Sequence, residues 1–159
     1  MLEEFLRVLD RVVGRLSAMY QAPREYGTGI PLYGTEIHTI QAIGESAGIT
    51  VTRLAEKRGV TKGAVSQTLS KLVGKGLVRK THAPDNAKEV VLELTERGWI
   101  GFRNHGTFDM KVLDSVRAYC GADLKTKLNT FLSVMTDFDA ILTLHEQRHQ
   151  SAGSTKENG

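Results

Sequence analysis

The sequence has 159 residues, the length of a single domain that can bury a hydrophobic core. Its 21 Lys and Arg against 18 Asp and Glu give a net charge of +3, an excess too small by itself to indicate a nucleic-acid partner. The single cysteine excludes an intramolecular disulfide, and no apolar run approaches the roughly 20 residues of a membrane span. Acids stand near the N-terminus where a signal peptide has basic residues, so we expect a cytoplasmic protein.

The first predicted helix covers residues 2–20. Its apolar residues recur at alternating steps of four and three, which predicts a narrow apolar seam: Leu2, Leu6, Leu9, Val13, Leu16 and Tyr20. Residues 21–34 contain two prolines and three glycines and are predicted to be an irregular connection. Thr35 is the predicted N-cap of the next helix, whose inward stripe would be Ile37, Ile40, Ile43 and Ala47.

Two short helices joined by a tight turn are predicted between residues 50 and 75. Thr50 and Thr61 are good N-caps because each hydroxyl can accept a free N–H of the first helical turn. Gly59 suits the left-handed stop between the helices. The pattern predicts a helix-turn-helix, and the buried stripe of its second helix would be Ala64, Val65, Leu69, Leu72 and Val73.

A β-hairpin follows this pair of helices. Residues 77–82 and 89–94 alternate as strands do, and the sequence Ala-Pro-Asp-Asn-Ala between them has the composition of a turn. A hairpin directly after a helix-turn-helix indicates a winged helix-turn-helix.

Two long helices are predicted after the hairpin, over residues 96–119 and from Asp123 onward. The last helix has a second seam, formed by Leu124, Leu128, Phe131, Met135, Phe138 and Leu142. The two seams need a partner surface. The simplest partner is a second copy of the chain, and the alternative is packing on the same domain. Residues 151–159 are polar and are predicted to be a disordered tail.

Three stretches resemble the MarR family of transcriptional regulators. They are L-A-E-K-R-G-V-T-K-G-A-V-S-Q at residues 54–67, L-V-G-K-G-L-V-R-K at 72–80 and L-E-L-T-E-R-G at 92–98. The resemblance implies a mainly α fold with a small β-hairpin wing, arranged as one domain over residues 1–150. Its winged helix-turn-helix core would be residues 35–95, and its dimerisation helices residues 2–20 and 96–150.

The same resemblance implies a function. It implies a homodimer that regulates transcription, as repressor or activator, by binding a pseudo-palindromic double-stranded DNA operator. It also implies a small aromatic effector that would change DNA affinity. We expect no catalysis, no cofactor and no metal, so the chain would not be an enzyme.

Charge and side-chain type locate the expected DNA contacts. Residues 53–88 are rich in Lys and Arg and hold only two acids, Glu56 and Asp85. The second helix of the pair lacks any carboxylate on its polar face, whereas a merely solvated face usually mixes Glu with Lys. Gln67 could bond adenine, Lys62 guanine or phosphate, and Arg53 the DNA backbone. The predicted contacts are Arg53, Thr61, Lys62, Gly63, Ser66, Gln67, Ser70, Lys71, Arg79, Asn86 and Lys88.

The wing departs from the family pattern, and the connection suggests an effector site. MarR-like wings commonly carry Asp-x-Arg, and those places are taken here by Asn86 and Lys88. The lysine keeps the positive charge but lacks the planar guanidinium that suits a narrow groove. Tyr26, Tyr33 and His38 lie where family members often bind small phenolic effectors. Alternatively, these aromatic residues only pack the connection between the first two helices.

Three alternatives remain open from the sequence. His145-Glu146-Gln147-Arg148-His149 matches the zinc-protease motif H-E-x-x-H, although a third ligand and a cleft are not evident and a solvated helix end is the simpler interpretation. A winged helix can also act only in protein–protein contact. Cys120 could be a redox switch or a structural thiol, and no cation adjoins it in sequence to favour the thiolate.

Overall fold

The computed structural model describes the backbone of residues 1–83 and 86–154, and the side chains of residues 1–83 and 89–145. The elements in chain order are α1 (Leu2–Gln21), β1 (Arg24–Glu25), β2 (Pro31–Leu32), α2 (Gly34–Gly44), β3 (Ile49–Thr50), α3 (Val51–Arg58), α4 (Lys62–Gly74), β4 (Val78–Ala83), β5 (Asn86–Leu94), α5 (Glu96–Cys120), a 3₁₀ helix (Gly121–Asp123) and α6 (Leu124–Ser154). The predicted fold class, mainly α with a small β-hairpin wing, is confirmed.

The chain divides into two compact units, residues 1–109 and the helical remainder from Met110. Among the described residues, no helix is long and apolar enough to cross a membrane. The tail predicted at residues 151–159 begins inside α6, which runs to Ser154, and residues 155–159 lie outside the described part of the chain.

The wing belongs to a three-stranded antiparallel sheet with the order β3-β5-β4. In the hairpin Val78 pairs with Leu94 and Thr81 with Val91, while Ile49 of β3 pairs with Leu92 on the other side of β5. The sheet therefore fixes the wing to the segment that leads into α3.

The connection over residues 21–34 is more regular than the sequence predicted. Arg24 and Glu25 pair antiparallel with Leu32 and Pro31 in a second, two-stranded sheet. Gly27 and Gly29 have φ of 70° and 69°, a conformation that residues with a Cβ rarely adopt, so glycines rather than a hydrophobic pattern make the turn.

The core of residues 1–109 forms around α2, α3, α4 and the sheet, with Leu32, Ile37, Ile40, Leu54, Val65, Leu69, Leu72, Leu77 and Leu92 among its most buried side chains. The inward stripe predicted for α2 is correct at its three isoleucines and wrong at Ala47, which is exposed because α2 already ends at Gly44. The prediction of Thr35 as the N-cap of α2 was also wrong. Tyr33 is the N-cap of α2, and its N–H donates to the carboxylate of Glu36 at 2.9 Å.

The buried stripe of α4 is narrower than the sequence predicted. Val65, Leu69 and Leu72 are buried, whereas Ala64 is exposed and Val73 is 41% exposed. The three buried residues follow four- and three-residue steps, and Ala64 and Val73 flank that line.

The terminal helices leave many apolar side chains exposed in the single chain. Helix α1 buries none of its residues. Its exposed apolar residues include most of the predicted seam, and α6 exposes a second set: Leu128, Phe131, Leu132, Val134, Met135, Ile141, Leu142 and Leu144.

Candidate nucleic-acid interface

Side-chain caps build the helix-turn-helix. Thr50 Oγ1 accepts the backbone N–H of Arg53 at 3.3 Å, and Thr61 Oγ1 accepts that of Ala64 at 3.2 Å. Gly59, at φ 62°, ends α3 in the left-handed conformation. Each of these local predictions is confirmed, and together they set α4 at a short turn from α3.

Helix α4 carries a polar face opposite its buried stripe. Buried Val65, Leu69 and Leu72 fix the helix to the core. The other side, with its N-cap, holds most of the predicted DNA contacts, all of them exposed: Thr61, Lys62, Gly63, Ser66, Gln67, Ser70 and Lys71. No carboxylate interrupts this face, so nothing on α4 itself would repel a phosphate backbone.

The hydroxyl and amide groups of the α4 face differ in what they already bind. Ser70 donates its hydroxyl hydrogen to the backbone oxygen of Ser66 at 2.9 Å, and Thr68 donates to Ala64 O at 3.0 Å. Within the described side chains, those of Ser66 and Gln67 form no hydrogen bond. Gln67 therefore has its full donor and acceptor capacity available for a base edge.

Cations around α4 fall into two groups. Arg53, Lys62, Lys71 and Lys80 are exposed and make no ion pair with any described side chain. Lys57 instead bonds Glu45 at 3.0 Å, and this contact, followed by the hydrogen bond from Gln41, lowers the pKa of Glu45. The count of basic residues in the sequence therefore overstates the charge that is available to a ligand.

The wing contributes one free cation and one paired cation among its described side chains. Lys80 is exposed on β4, while Arg79 lies 2.7 Å from Glu93 across the hairpin and lowers the pKa of that carboxyl group. Asn86 and Lys88 lie on the backbone of β5, and their side chains are outside the described residues.

A cavity of about 80 Å³ lies between α1, α2 and the first part of α5, in the unit formed by residues 1–109. It is lined by Leu16, Met19, Tyr20, Ala22, Arg24, Tyr26, Gly34, Ile37, His38, His105, Phe108 and Asp109. Two of the three residues predicted for an effector site, Tyr26 and His38, are in this wall. Tyr33 is not, because as the N-cap of α2 its half-exposed ring lies near Lys75 instead, with the ammonium 5.8 Å from the ring centroid.

Four rings form the polar side of the cavity. His38 stacks on Tyr20 with centroids 5.1 Å apart, and Tyr26 stacks on His105 at 5.6 Å. The two imidazoles meet edge to face at 4.9 Å. Burial lowers the pKa of His38 and raises the pKa of Tyr26, so both groups are held in their neutral forms.

Charged groups flank these rings. Nδ1 of His105 lies 2.9 Å from Oδ2 of Asp109, an electrostatic contact without hydrogen-bond geometry. The guanidinium of Arg24 lies 4.7 Å from the ring centroid of Phe108. Sequence reasoning missed Tyr20, His105 and Asp109 here. The only local signal is the four-residue spacing of the last two on α5.

A metal centre finds no further support. Among the described side chains, no group of three or more His, Cys, Asp and Glu could hold a metal ion. The side chains of Glu146 and His149, two members of the H-E-x-x-H motif, lie outside the described residues. Cys120 is a free, partly buried thiol.

Comparison with known proteins shows a likeness to transcriptional regulators over part of the chain. Residues 31–89 match the family model described as MarR family. The HTH-type transcriptional regulator YhjH of Bacillus subtilis is 42% identical over 74 residues, which are 46% of this chain and 42% of that protein. The chain therefore matches less than half the length of this relative.

Solved structures extend the likeness in fold to most of the chain. FabT of Streptococcus pneumoniae in complex with DNA has a TM-score of 0.74 at 19% identity, over 89% of this chain and 99% of that one. ZitR of Lactococcus lactis in complex with DNA has a TM-score of 0.68 at 20% identity, over 86% and 96%. Residues 31–89, which hold the helix-turn-helix, are therefore similar to the MarR family, and most of the chain has the winged helix-turn-helix fold of these two structures.

Proposed function

We propose that the protein is a transcriptional regulator that binds double-stranded DNA through α4. The observation that carries this proposal is the exposed, carboxylate-free face of α4, flanked by cations that no described carboxylate neutralises. A face used only in protein–protein contact would not need this charge pattern. FabT and ZitR were both solved with DNA, which supports the same function here.

The contacts divide by role. We assign Gln67 to a base edge, because its amide is exposed on α4 and forms no hydrogen bond with a described side chain. Lys62 and Lys71 on α4 and Arg53 on α3 are exposed charges that suit phosphate oxygens. In the wing we assign the phosphate contact to Lys80 and retain Asn86 and Lys88 from the sequence. Arg79 is the weakest of the proposed contacts, since its charge is paired with Glu93.

The proposed regulator acts as a homodimer. Helix α1 buries none of its residues and α6 exposes eight large apolar side chains, a pattern typical of a protein–protein interface. A second copy would cover these helices through a self-complementary interface. Two α4 helices would then enter successive major grooves, about 34 Å apart along the duplex.

A small aromatic effector is proposed for the cavity beside α2. Its ring-lined wall suits stacking against a planar molecule, and Tyr26 and His38 keep the role that the sequence assigned to them. Tyr33 is removed from this site because it does not line the cavity.

The experiment is selection of bound duplexes from a random pool, followed by affinity measurements on the selected and a scrambled duplex at several salt concentrations. We expect a pseudo-palindromic consensus and an affinity that falls steeply with salt, since released counterions accompany each phosphate contact. Failure to enrich any sequence, with no binding at low salt, would overturn the proposal and favour the protein–protein alternative.

A further inference from the structure

We propose that the first turn of α2 positions the helix-turn-helix, and that Lys75 and Arg58 act as positioning residues rather than phosphate contacts. We call residues 34–39 the α2 turn. The inference rests on the proposed DNA-binding function. It concerns two basic residues that lie in the stretch expected to bind DNA and whose side chains are directed inward.

The first contact joins the end of α4 to the α2 turn. Lys75, directly after α4, places its ammonium 2.7 Å from Oε1 of Glu36 and donates a hydrogen bond to Oε2 at 2.8 Å. The Glu36 side chain is only 3% exposed, and Lys75 is 24% exposed. Lys75 also donates to the backbone oxygen of Pro31 at 3.0 Å. Its charge is therefore matched by a buried carboxylate and directed away from solvent.

The second contact joins the end of α3 to the same turn. Arg58 is the last residue of α3, and its guanidinium donates to the backbone oxygen of Thr35 at 3.1 Å and to the hydroxyl of Thr39. Thr39 is buried and donates its own hydroxyl hydrogen to Thr35 O at 2.7 Å. Both helices of the motif thus end on one turn of a third helix.

The Glu36–Lys75 ion pair fixes the orientation of α4 on α2 more than it increases the stability of the fold. A buried ion pair gains little over an apolar pair of the same shape, but a buried charge that loses its partner is strongly unfavourable. The Glu36–Lys75 contact therefore penalises any orientation of α4 that separates the two groups. Base recognition by Gln67 depends on that orientation, because a bidentate hydrogen bond tolerates little displacement.

The test compares Lys75→Met with Lys71→Met on the selected duplex and on a scrambled duplex. If Lys75 positions α4, Lys75→Met should weaken the selected duplex by about fivefold or more, leave the scrambled duplex unchanged and keep the salt slope. Lys71→Met, on the exposed face, should weaken both duplexes alike and flatten the slope by about one unit per phosphate contact. The same flattening for Lys75→Met would overturn the proposal.

Glu36→Gln separates positioning from charge. Removing an anion should preserve or increase affinity if only net charge matters, whereas the positioning role predicts the same selective loss as Lys75→Met. The double variant Glu36→Gln/Lys75→Met should lose less than the sum of the single losses, because no unpaired buried charge remains. Lys75→Arg should recover part of the selectivity. Additive losses in the double variant would contradict the ion-pair role.

Hydrogen exchange tests the positioning role of Lys75 without DNA, and therefore separately from the proposed DNA-binding function. If the wild-type protein binds no duplex, the proposed function fails, and the positioning role is then judged without DNA. Faster exchange of α4 amides in folded Lys75→Met, but not in Lys71→Met, would support it. Equal exchange in the two variants would overturn it.

Discussion

The imidazole rings of His38 and His105 meet edge to face, with their centroids 4.9 Å apart, between the rings of Tyr20 and Tyr26. His38 Nδ1 lies 3.4 Å from the side-chain oxygen of Gln41. Burial is the largest cause that lowers the pKa of His38, and the hydrogen bond with Gln41 opposes it only in part. A proton on this ring is therefore less favourable in the folded protein than in the unfolded chain.

This difference predicts a loss of stability in mild acid. In the unfolded chain the pKa of His38 is about 6.5, whereas in the folded protein it is lower, so unfolding takes up a proton between the two values. Its stability contribution is complete above about pH 6.5 and falls as the pH drops through that window. His105 and Arg58 disfavour the proton, and Asp109 favours it.

The measurement is urea unfolding of wild type and His38→Gln at pH 7.5, 6.5 and 5.5. The variant retains a hydrogen-bonding group without a titrating ring, so its free energy of unfolding should fall less between pH 6.5 and 5.5. An equal fall in both proteins would mean that other groups cause the acid sensitivity.

Gly98 allows α5 to begin against the sheet. A Cβ at this position would lie 2.1 Å from the backbone oxygen of Leu77 and 3.2 Å from Leu94 Cβ, and backbone cannot move aside as a flexible side chain can. Gly98→Ala should therefore destabilise the protein by about 1–3 kcal/mol. Gly106→Ala is the control in the same helix, with no atom within 4 Å, and should stabilise by about 0.5–1 kcal/mol. Thermal unfolding of both variants decides the matter, and equal midpoints would refute the steric argument.

The exposed seam of α6 predicts an obligate dimer. Phe131 is 63% and Leu128 43% exposed in the single chain. Replacing both with Asp should place unpaired charge in the interface at a cost on the order of a few kcal/mol, so that sedimentation shows monomer or aggregate. Asn129→Asp adds a charge at a neighbouring polar position and should remain dimeric. A well-folded dimer of the double variant would exclude this seam from the interface.

Alanine substitutions of Gln67 and Arg53 should weaken DNA binding in different ways. Gln67→Ala should cost about 1–3 kcal/mol on the selected duplex and relax its sequence preference, since the lost bonds are to a base. Arg53→Ala should weaken selected and scrambled duplexes alike and reduce the salt slope. Equal losses on both duplexes for Gln67→Ala would remove it from the base contacts.

Local chemistry explains what the sequence predicted well. The caps at Thr50 and Thr61 and the stop at Gly59 need only a hydroxyl or a missing Cβ near the right N–H, so neighbouring residues determine them. The polar face of α4 was likewise predictable from a 3.6-residue period.

Long-range contacts explain what the sequence could not predict. Lys75 belongs by composition with the other cations of its stretch, and only the packing of α4 on α2 reveals that it pairs with Glu36. His105 lies 67 positions after His38 in the sequence, and no local pattern brings α5 to the cavity. Gly44 is of the same kind, because a Cβ there would lie 2.6 Å from the ring of Phe102, 58 positions later on α5.

The α2 turn serves two purposes with interleaved residues. Gly34, Ile37 and His38 line the cavity, while Glu36 and Thr39 hold the ends of α4 and α3. A substitution that reshapes the cavity from this side therefore also disturbs the contacts that hold the ends of α3 and α4. Divergence toward a different ligand would be restricted to the walls supplied by α1 and α5, and the α2 turn would change more slowly than the rest of the cavity.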